Sequence, residues 1–571
     1  MRRVLIAVLV AGAFAAPAAA SSQTLMPAVT YSRQVVFTPR GAVAIHVLTA
    51  PKPGGLWELR PVLSNGVIVG RERVTDMEKD VSSMATVAGV NGDFANAYDG
   101  TRGILIEGGV LKNPPYAARS SIGISGSGSL DVRRVEFYGI WQGLGQRRPL
   151  TDLNEPPNAS GVSLFTPAWG PRTPAMPDAT EAVVAPFPSA APNTDLVGPV
   201  VQIDHGGGTT IPPGGAVLAA RGASAQKLAA EAPVGARMFV RLSLKPDWSA
   251  VVDAVGGGPL LVRRGKPVFR SFEDFTPSLL AARDARTAVG QRKDGKIVLV
   301  AVDGRQPGYS VGLTNFELAQ TLAGLGCVTA AALEPGRATT MAFDGQLLNQ
   351  PYDPTGERAV AEALLVYYYG VYAPPPAVDV LSPNGDGVDE TQSLSYKIVR
   401  PSTVTATLVG PDGAARYTDS GAKVAGTYRL TWPGLTAGGA PEAEGRWTWR
   451  ITAVDDLGRA SSDVRTFWLN DTLGFLRVPP TAFVRPRRRF VVADFKLAHA
   501  ARVTVRVETA TGVPIKTLLS ARVALGDRTV TWDGRNVAKR LVYGGRYVID
   551  VVAQNGYGPA ELTGALTVRR G

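Results

Sequence analysis

Trp432, Gly434, Gly445, Arg446, Ala453 and Gly458 recur as Trp532, Gly534, Gly545, Arg546, Ala553 and Gly558, a period of 100 residues. No other feature restricts this chain so tightly, because a repeat that long must fold as one domain-sized unit twice over. Each copy opens on an alternating stretch (Val404 to Leu408; Val503 to Val507), turns at Thr-Trp-x-Gly, and closes on another alternating stretch (Trp447 to Ile451; Tyr547 to Val551). Period-2 alternation with turn signals between short strands predicts a β-sandwich for each copy. Ala373-Pro374-Pro375-Pro376-Ala377 precedes the first copy and reads as a polyproline II spacer. The sequence therefore divides into residues 21–373, a first module over 374–470 and a second over 471–571.

With 571 residues, three or four domains are expected. Hydrophobic residues make up 45% and charged ones 19%, a balance that excludes a mainly disordered chain. Residues 21–373 read as one mixed α/β (α+β) domain. Ile297–Val302 is a strongly apolar strand that pairs with 287–291 across Asp294-Gly295, a dipeptide favouring a type I′ hairpin. A helix starts at Thr314, with Glu317 completing a capping box and Phe316, Ala319, Leu322 and Ala323 on one face. The Pro-, Ala- and Ser-rich stretch from Asn154 to Asp195 reads as a surface excursion.

Arg2 and Arg3, the apolar run from Val4 to Ala16, and Ala18-Ala19-Ala20 form the pattern of a cleavable signal peptide over residues 1–20. The run is shorter than the ~20 residues of a bilayer span. No later segment is long and apolar enough to span either. The expected location is secreted, cell-surface or periplasmic. The single cysteine, Cys327, excludes an intramolecular disulfide framework and sits in an apolar context typical of an inert thiol. A net charge of +12 suits attraction to an anionic cell-surface polymer. No motif interleaves aromatic and basic residues as nucleic-acid binding would require.

Three polar segments sit where strands end: Asn91-Gly92-Asp93-Phe94, Gly256-Gly257-Gly258-Pro259, and Asp303-Gly304-Arg305-Gln306. The residues alone leave two readings for each, an ordinary turn or a site. The three histidines, His46, His205 and His499, are too widely spaced for a zinc site. Asn384-Gly-Asp386-Gly-Val388-Asp389-Glu390 places closely spaced oxygen donors between glycines, so Asn384, Asp386, Asp389 and Glu390 form either a calcium loop or a plain turn.

Taken in order, Asn91-Gly92-Asp93-Phe94, Gly256 to Leu261, Ala285 to Gly290, Val302 to Gln306, the helix from Thr314, Thr339-Thr340-Met341 and Gly356-Glu357-Arg358 resemble the phosphodiester glycosidase (uncovering enzyme) family over residues 60–372. The resemblance implies cleavage of the glycosyl bond of a sugar-1-phosphodiester. The C-terminal modules resemble FlgD-type Ig-like domains, with Trp532-Asp533-Gly534 intact and Trp432-Pro433-Gly434 altered. On this footing Asp93, Asp303 and Glu334 are the catalytic candidates. Arg286 and Arg305 would hold phosphate, and Asn91, Thr287, Gly257, Gly258, Thr339, Thr340 and Arg358 would complete the substrate site. One stretch departs from the family. Where it carries Asn-Leu-Asp-Gly-Gly-Gly-Ser, this chain has Ala332-Leu333-Glu334-Pro335-Gly336-Arg337-Ala338. Proline removes a backbone donor and arginine adds bulk. Either Glu334 and Arg337 form an altered site, or the domain binds a glycan or serves adhesion without catalysis.

Overall fold

The computed structural model describes residues 21–484 and 489–570. The signal-peptide pattern at 1–20 falls outside them. The chain forms two compact units, Met1–Tyr369 and Gly370–Gly571. The division falls before the proline run, and Val371 and Ala373 already belong to the core of the first C-terminal module.

The first unit departs from the α/β expectation because β-sheet dominates it. Its described helices are four and short: Val74–Asp80, Gly222–Glu231, Pro277–Ala281 and Asn315–Gly324. Two eight-stranded and two five-stranded sheets carry the rest. The first eight-stranded sheet sets Ile297–Val302 between Gly41–Ala50 and Arg286–Arg292. The predicted hairpin is present, with Gln291 opposite Ile297. Its turn, however, runs from Arg292 to Lys296 with only Gly295 at positive φ (+85°). That is a type I turn with a glycine bulge, not a type I′ turn, which needs two such residues. The capping box is formed: Thr314 Oγ1 accepts from Glu317 N at 3.2 Å, and Glu317 Oε2 accepts from Thr314 N at 2.9 Å. The helix buries Leu318, Ala319 and Leu322 against this sheet. Phe316 sits off that face, edge-on to Phe269.

The stretch from Asn154 to Asp195 is not a surface excursion. Val162–Phe165 and Ala175–Val184 are strands of the second eight-stranded sheet, and Phe165, Ala182 and Val184 are fully buried. Alanine-rich strands pack as tightly as bulkier ones where a neighbouring layer approaches closely, which composition hides.

Two five-stranded sheets frame the site. One has the order Gln346–Leu347, Met341–Phe343, Thr86–Asn91, Glu362–Tyr368, Trp57–Leu63. The other runs Val110–Asn113, Leu105–Glu107, Val251–Gly256, Ser121–Ser125, Leu130–Arg133.

In the second unit each repeat is a two-sheet sandwich. The first packs Gln392–Ile398 and Gly426–Trp432 over a five-stranded sheet that includes Ser402–Val409 and Gly445–Asp455. The second packs three strands over five in the same way. The repeated tryptophans are core: Trp447 is fully buried, its ring 4.4 Å from that of Trp432. Trp447→Ala is expected to cost about 3–5 kcal/mol, seen as an early-melting transition in chemical denaturation of the chain.

The 384–390 loop forms a turn whose side chains also reach the backbone at Leu473 and Phe475. Asn384 Oδ1 accepts from Asp386 N, Asp386 Oδ1 from Val388 N and Glu390 Oε1 from Gly387 N. Asp386 Oδ2 accepts from Phe475 N at 2.7 Å, and Asn384 Nδ2 donates to Leu473 O. Asp389 O accepts from Ser382 N at 2.9 Å. Among the described residues no group of three or more acidic, histidine or cysteine side chains is placed to hold a metal.

Candidate active site

The site forms where three neighbouring strands of the first five-stranded sheet end together. Thr86–Asn91 is buried along its whole length and delivers Asn91-Gly92-Asp93. Glu362–Tyr368 lies on one side of it, with Ala363 opposite Asn91, and Met341–Phe343 on the other, with Met341 opposite Val90. Glu362 and Thr339-Thr340 are therefore fixed beside Asp93 by strand register alone. Asn91 ties the ends together. Its Oδ1 accepts from Thr287 Oγ1 at 2.7 Å and from Thr340 N at 3.1 Å, and its Nδ2 donates to Glu334 O at 2.9 Å. Glu334 N in turn donates to Gly92 O at 3.0 Å.

Asp93 is buried against the second five-stranded sheet. Its Oδ2 accepts from Gly103 N at 2.6 Å. A Cβ at Gly103 would lie 2.7 Å from that oxygen, and one at Gly256 would overlap it. The first glycine of the triple therefore makes room for the carboxylate. Gly257 and Gly258 make room for protein: their would-be Cβ atoms meet Ala332 O at 2.7 Å and the Glu273 carboxylate, respectively. The close approach at these two positions is not to a ligand. Glu362 lies beneath, fully buried, its Oε1 accepting from Asp93 N at 3.1 Å.

The electrostatics of the three acids differ in degree. Burial pushes Asp93 up to about 6, against the pull of Gly103 N, Arg119 and Arg102. Burial and then the Asp93 charge push Glu334 up to about 7, opposed by Arg358 and Arg71. Burial and the same charge hold Glu362 well above the carboxylate range. Near neutrality this leaves Asp93 largely ionised and Glu334 poised between forms, with Glu362 biased by burial toward its protonated form.

Four arginines surround this group, and sequence reasoning found only Arg358. Arg119 is held flat by aromatic rings, 4.1 Å from the Phe275 centroid and 4.7 Å from that of Phe94. Its Nε donates to Asp274 O, while its buried Nη1 has no partner. Arg102 stacks on Tyr116 at 4.8 Å. Arg71 pairs with Asp99 at 2.7 Å and keeps a buried, unpartnered Nε. Thr339 and Thr340 are buried with unpartnered hydroxyls.

Asp303, Arg286 and Arg305 are engaged by protein groups. Asp303 shares no partner with Asp93 among the described residues. Its Oδ1 accepts from Asn349 Nδ2 at 3.0 Å and Gln350 N at 3.1 Å, and its Oδ2 meets His46 Nε2 and Tyr309 OH, both at 2.8 Å. His46 Nδ1 continues the chain to Tyr31 OH at 2.7 Å. Both carboxylate oxygens are thus occupied by protein, and the network steadies Thr339 through Asn349 Nδ2, which also donates to Thr339 O. Arg286 is buried and donates to Leu313 O, Leu279 O and Ala282 O, the last two at the short helix Pro277–Ala281. Burial lowers it to about 10. No fork remains for phosphate. Arg305 is exposed and paired with Asp284 at 2.7 Å. Arg337 is exposed and lies 3.8 Å from Asp353, so it does not join Glu334. Glu357 accepts from Thr75 N and Oγ1 at the start of the helix Val74–Asp80, a capping role.

The family model of phosphodiester glycosidases matches residues 190–367. A 111-residue stretch is 34% identical to the SPbeta prophage-derived uncharacterized protein YomE of Bacillus subtilis (strain 168), covering 19% of this chain and 17% of that protein. A solved hypothetical protein from Synechocystis is similar at 25% identity with a TM-score of 0.52, over 62% of this chain and 64% of that one. The chain thus spans less than two thirds of either relative. Similarity to the catalytic domain of zebrafish N-acetylglucosamine-1-phosphodiester alpha-N-acetylglucosaminidase is weaker, at 14% identity and a TM-score of 0.33 over 61% of this chain and 87% of that one. Among the described residues no helix is long and apolar enough to cross a membrane. Gly256, Glu334, Thr339, Thr340, Arg358 and Glu362 fall inside the segment that matches the phosphodiester glycosidase family model.

Proposed function

We propose that the first unit hydrolyses the glycosyl bond of a sugar-1-phosphodiester, acting on a phosphate-bearing glycopolymer of the cell envelope after export, with the Ig-like pair as spacer or attachment modules. The observation that carries this reading is the pairing of two carboxyl groups poised at about 6 and about 7 with an aromatic-held guanidinium whose Nη1 is unengaged. Cleavage breaks the bond from the anomeric carbon to the phosphate oxygen, and the electron pair leaves with the phosphate. Arg119, supported by Arg102, holds that leaving charge. Asp93, ionised, stabilises or traps the oxocarbenium-like centre. Glu334, near neutrality in its titration, takes the proton of the water that adds to the anomeric carbon. The products are the free sugar and a phosphomonoester.

The test is release of reducing sugar from a panel of sugar-1-phosphodiesters, compared with the matching 1-O-alkyl glycosides. Turnover confined to the phosphodiesters supports the reading. Binding of a phosphodiester without turnover would replace it with a glycan-binding protein, a reading that Pro335 and Arg337 favour by altering the donor loop.

A further inference from the structure

The two C-terminal repeats share a fold but not a charge. Residues 374–470 contain 9 Lys or Arg and 11 Asp or Glu, a net −2; residues 471–571 contain 17 and 7, a net +10. Most of the chain's +12 therefore resides in its last module. Net charge alone makes a solvated surface. The strand register gives it a location.

Arg502 and Arg522 are directly opposite one another on adjacent antiparallel strands, Ala501–Thr509 and Pro514–Val523. Side chains so placed project from the same face with Cβ atoms about 5 Å apart, and like charges in that position are destabilising. Both are exposed, and neither forms an ion pair among the described residues. The first repeat has Thr403 opposite Ala422 at this place. Its nearby Asp455 and Asp456 are neutralised by Arg459 and Arg400, each pair at 2.7 Å. In the second repeat Asn555 and Gly556 replace those acids. A repeat that is stable with Thr and Ala has thus acquired an opposed arginine pair and lost the local acids. An anion lying between the two guanidinium groups would relieve the repulsion.

We infer that the last module is a polyanion-binding module, in which Arg502 and Arg522 bind successive phosphates of a phosphodiester-linked polymer. The choice of such a polymer over other polyanions rests on the reaction proposed above. The module would then hold the polymer on which the first unit acts.

The experiment measures binding of the full chain to poly(glycerol phosphate) oligomers by calorimetry, at salt between about 50 and 200 mM, together with thermal melting and sugar release from a small sugar-1-phosphodiester. The double variant Arg502→Thr/Arg522→Ala restores the first repeat's residues. It is expected to weaken binding about tenfold or more, to melt no earlier than the native chain, and to leave small-substrate hydrolysis unchanged. Arg450→Glu, an exposed change in the first repeat, should leave binding within about twofold. Unchanged binding by the double variant overturns the inference, as does tighter binding of duplex DNA of equal charge. If sugar release is absent for every substrate while polymer binding still depends on Arg502 and Arg522, the catalytic reading fails and this one stands. Release with arginine-independent binding is the reverse.

Discussion

Asp93→Asn is expected to lower hydrolysis of a sugar-1-phosphodiester by about 10²–10⁴-fold while leaving the protein more stable at pH 7. The two effects have one cause. Asp93 is buried, and its folded value of about 6 lies above the ordinary 3.8. A carboxyl group raised in this way binds its proton more tightly when folded. Its cost to stability is absent below pH 3.8, grows as pH rises, and is complete above about 6. A shift of that size corresponds to about 3 kcal/mol, of which asparagine should recover roughly 1–3 because its amide bonds less well with Gly103 N. Denaturant titrations at pH 4 and pH 7 check the sign: the gain appears at pH 7 and vanishes at pH 4. Equal activity in the variant would remove Asp93 from the mechanism.

Glu334→Gln is expected to reduce turnover about 10²-fold and to remove the ionisation near 7 from the rise of activity with pH. With Asp93 and Glu334 both required ionised, one as stabiliser and the other as base, kcat/KM of the native chain should rise through about pH 6 and 7 and level off above them. Glutamine cannot accept the proton of water, so the step near 7 should go while the rise near 6 stays. Asp303→Asn provides the contrast. It disturbs a buried network of His46, Tyr309, Asn349 and Gln350, so melting should fall while the shape of the pH profile is kept. A profile lost with Asp303 and kept with Glu334 would reverse the assignment.

The sequence made some of this legible and hid the rest for identifiable reasons. Asn91-Gly92-Asp93 was readable because a wholly buried strand must end on its polar residues, and Glu334 because its loop differs from the family's pattern. Asp303 and Arg286 looked equally good by residue type. What disqualifies them is that protein groups occupy their oxygens and nitrogens, and a sequence does not state where a donor points. Arg119 was missed because its placement depends on the Phe275 ring and the Asp274 carbonyl, far along the chain, and Arg71 and Arg102 because a sequence does not show that they turn toward the acids. Glu362 opens a strand that is otherwise apolar and reads as core. The repeats were the most legible part, since alternation and tryptophan spacing are local, whereas the first unit's sheets join strands from distant segments and so were taken for a more helical fold.

The bare backbone on either side of the Asp93 carboxylate has a mechanical consequence. The acid grows from one sheet and is gauged by Gly103 and Gly256 at the other, with no flexible side chain between to absorb error. The gap between the two layers is therefore itself a parameter of the chemistry. A remote core substitution that slides one layer by a fraction of an ångström would leave melting nearly unchanged and still be felt as a slower enzyme, since misplacement of about 1 Å can cost about 10²-fold in rate.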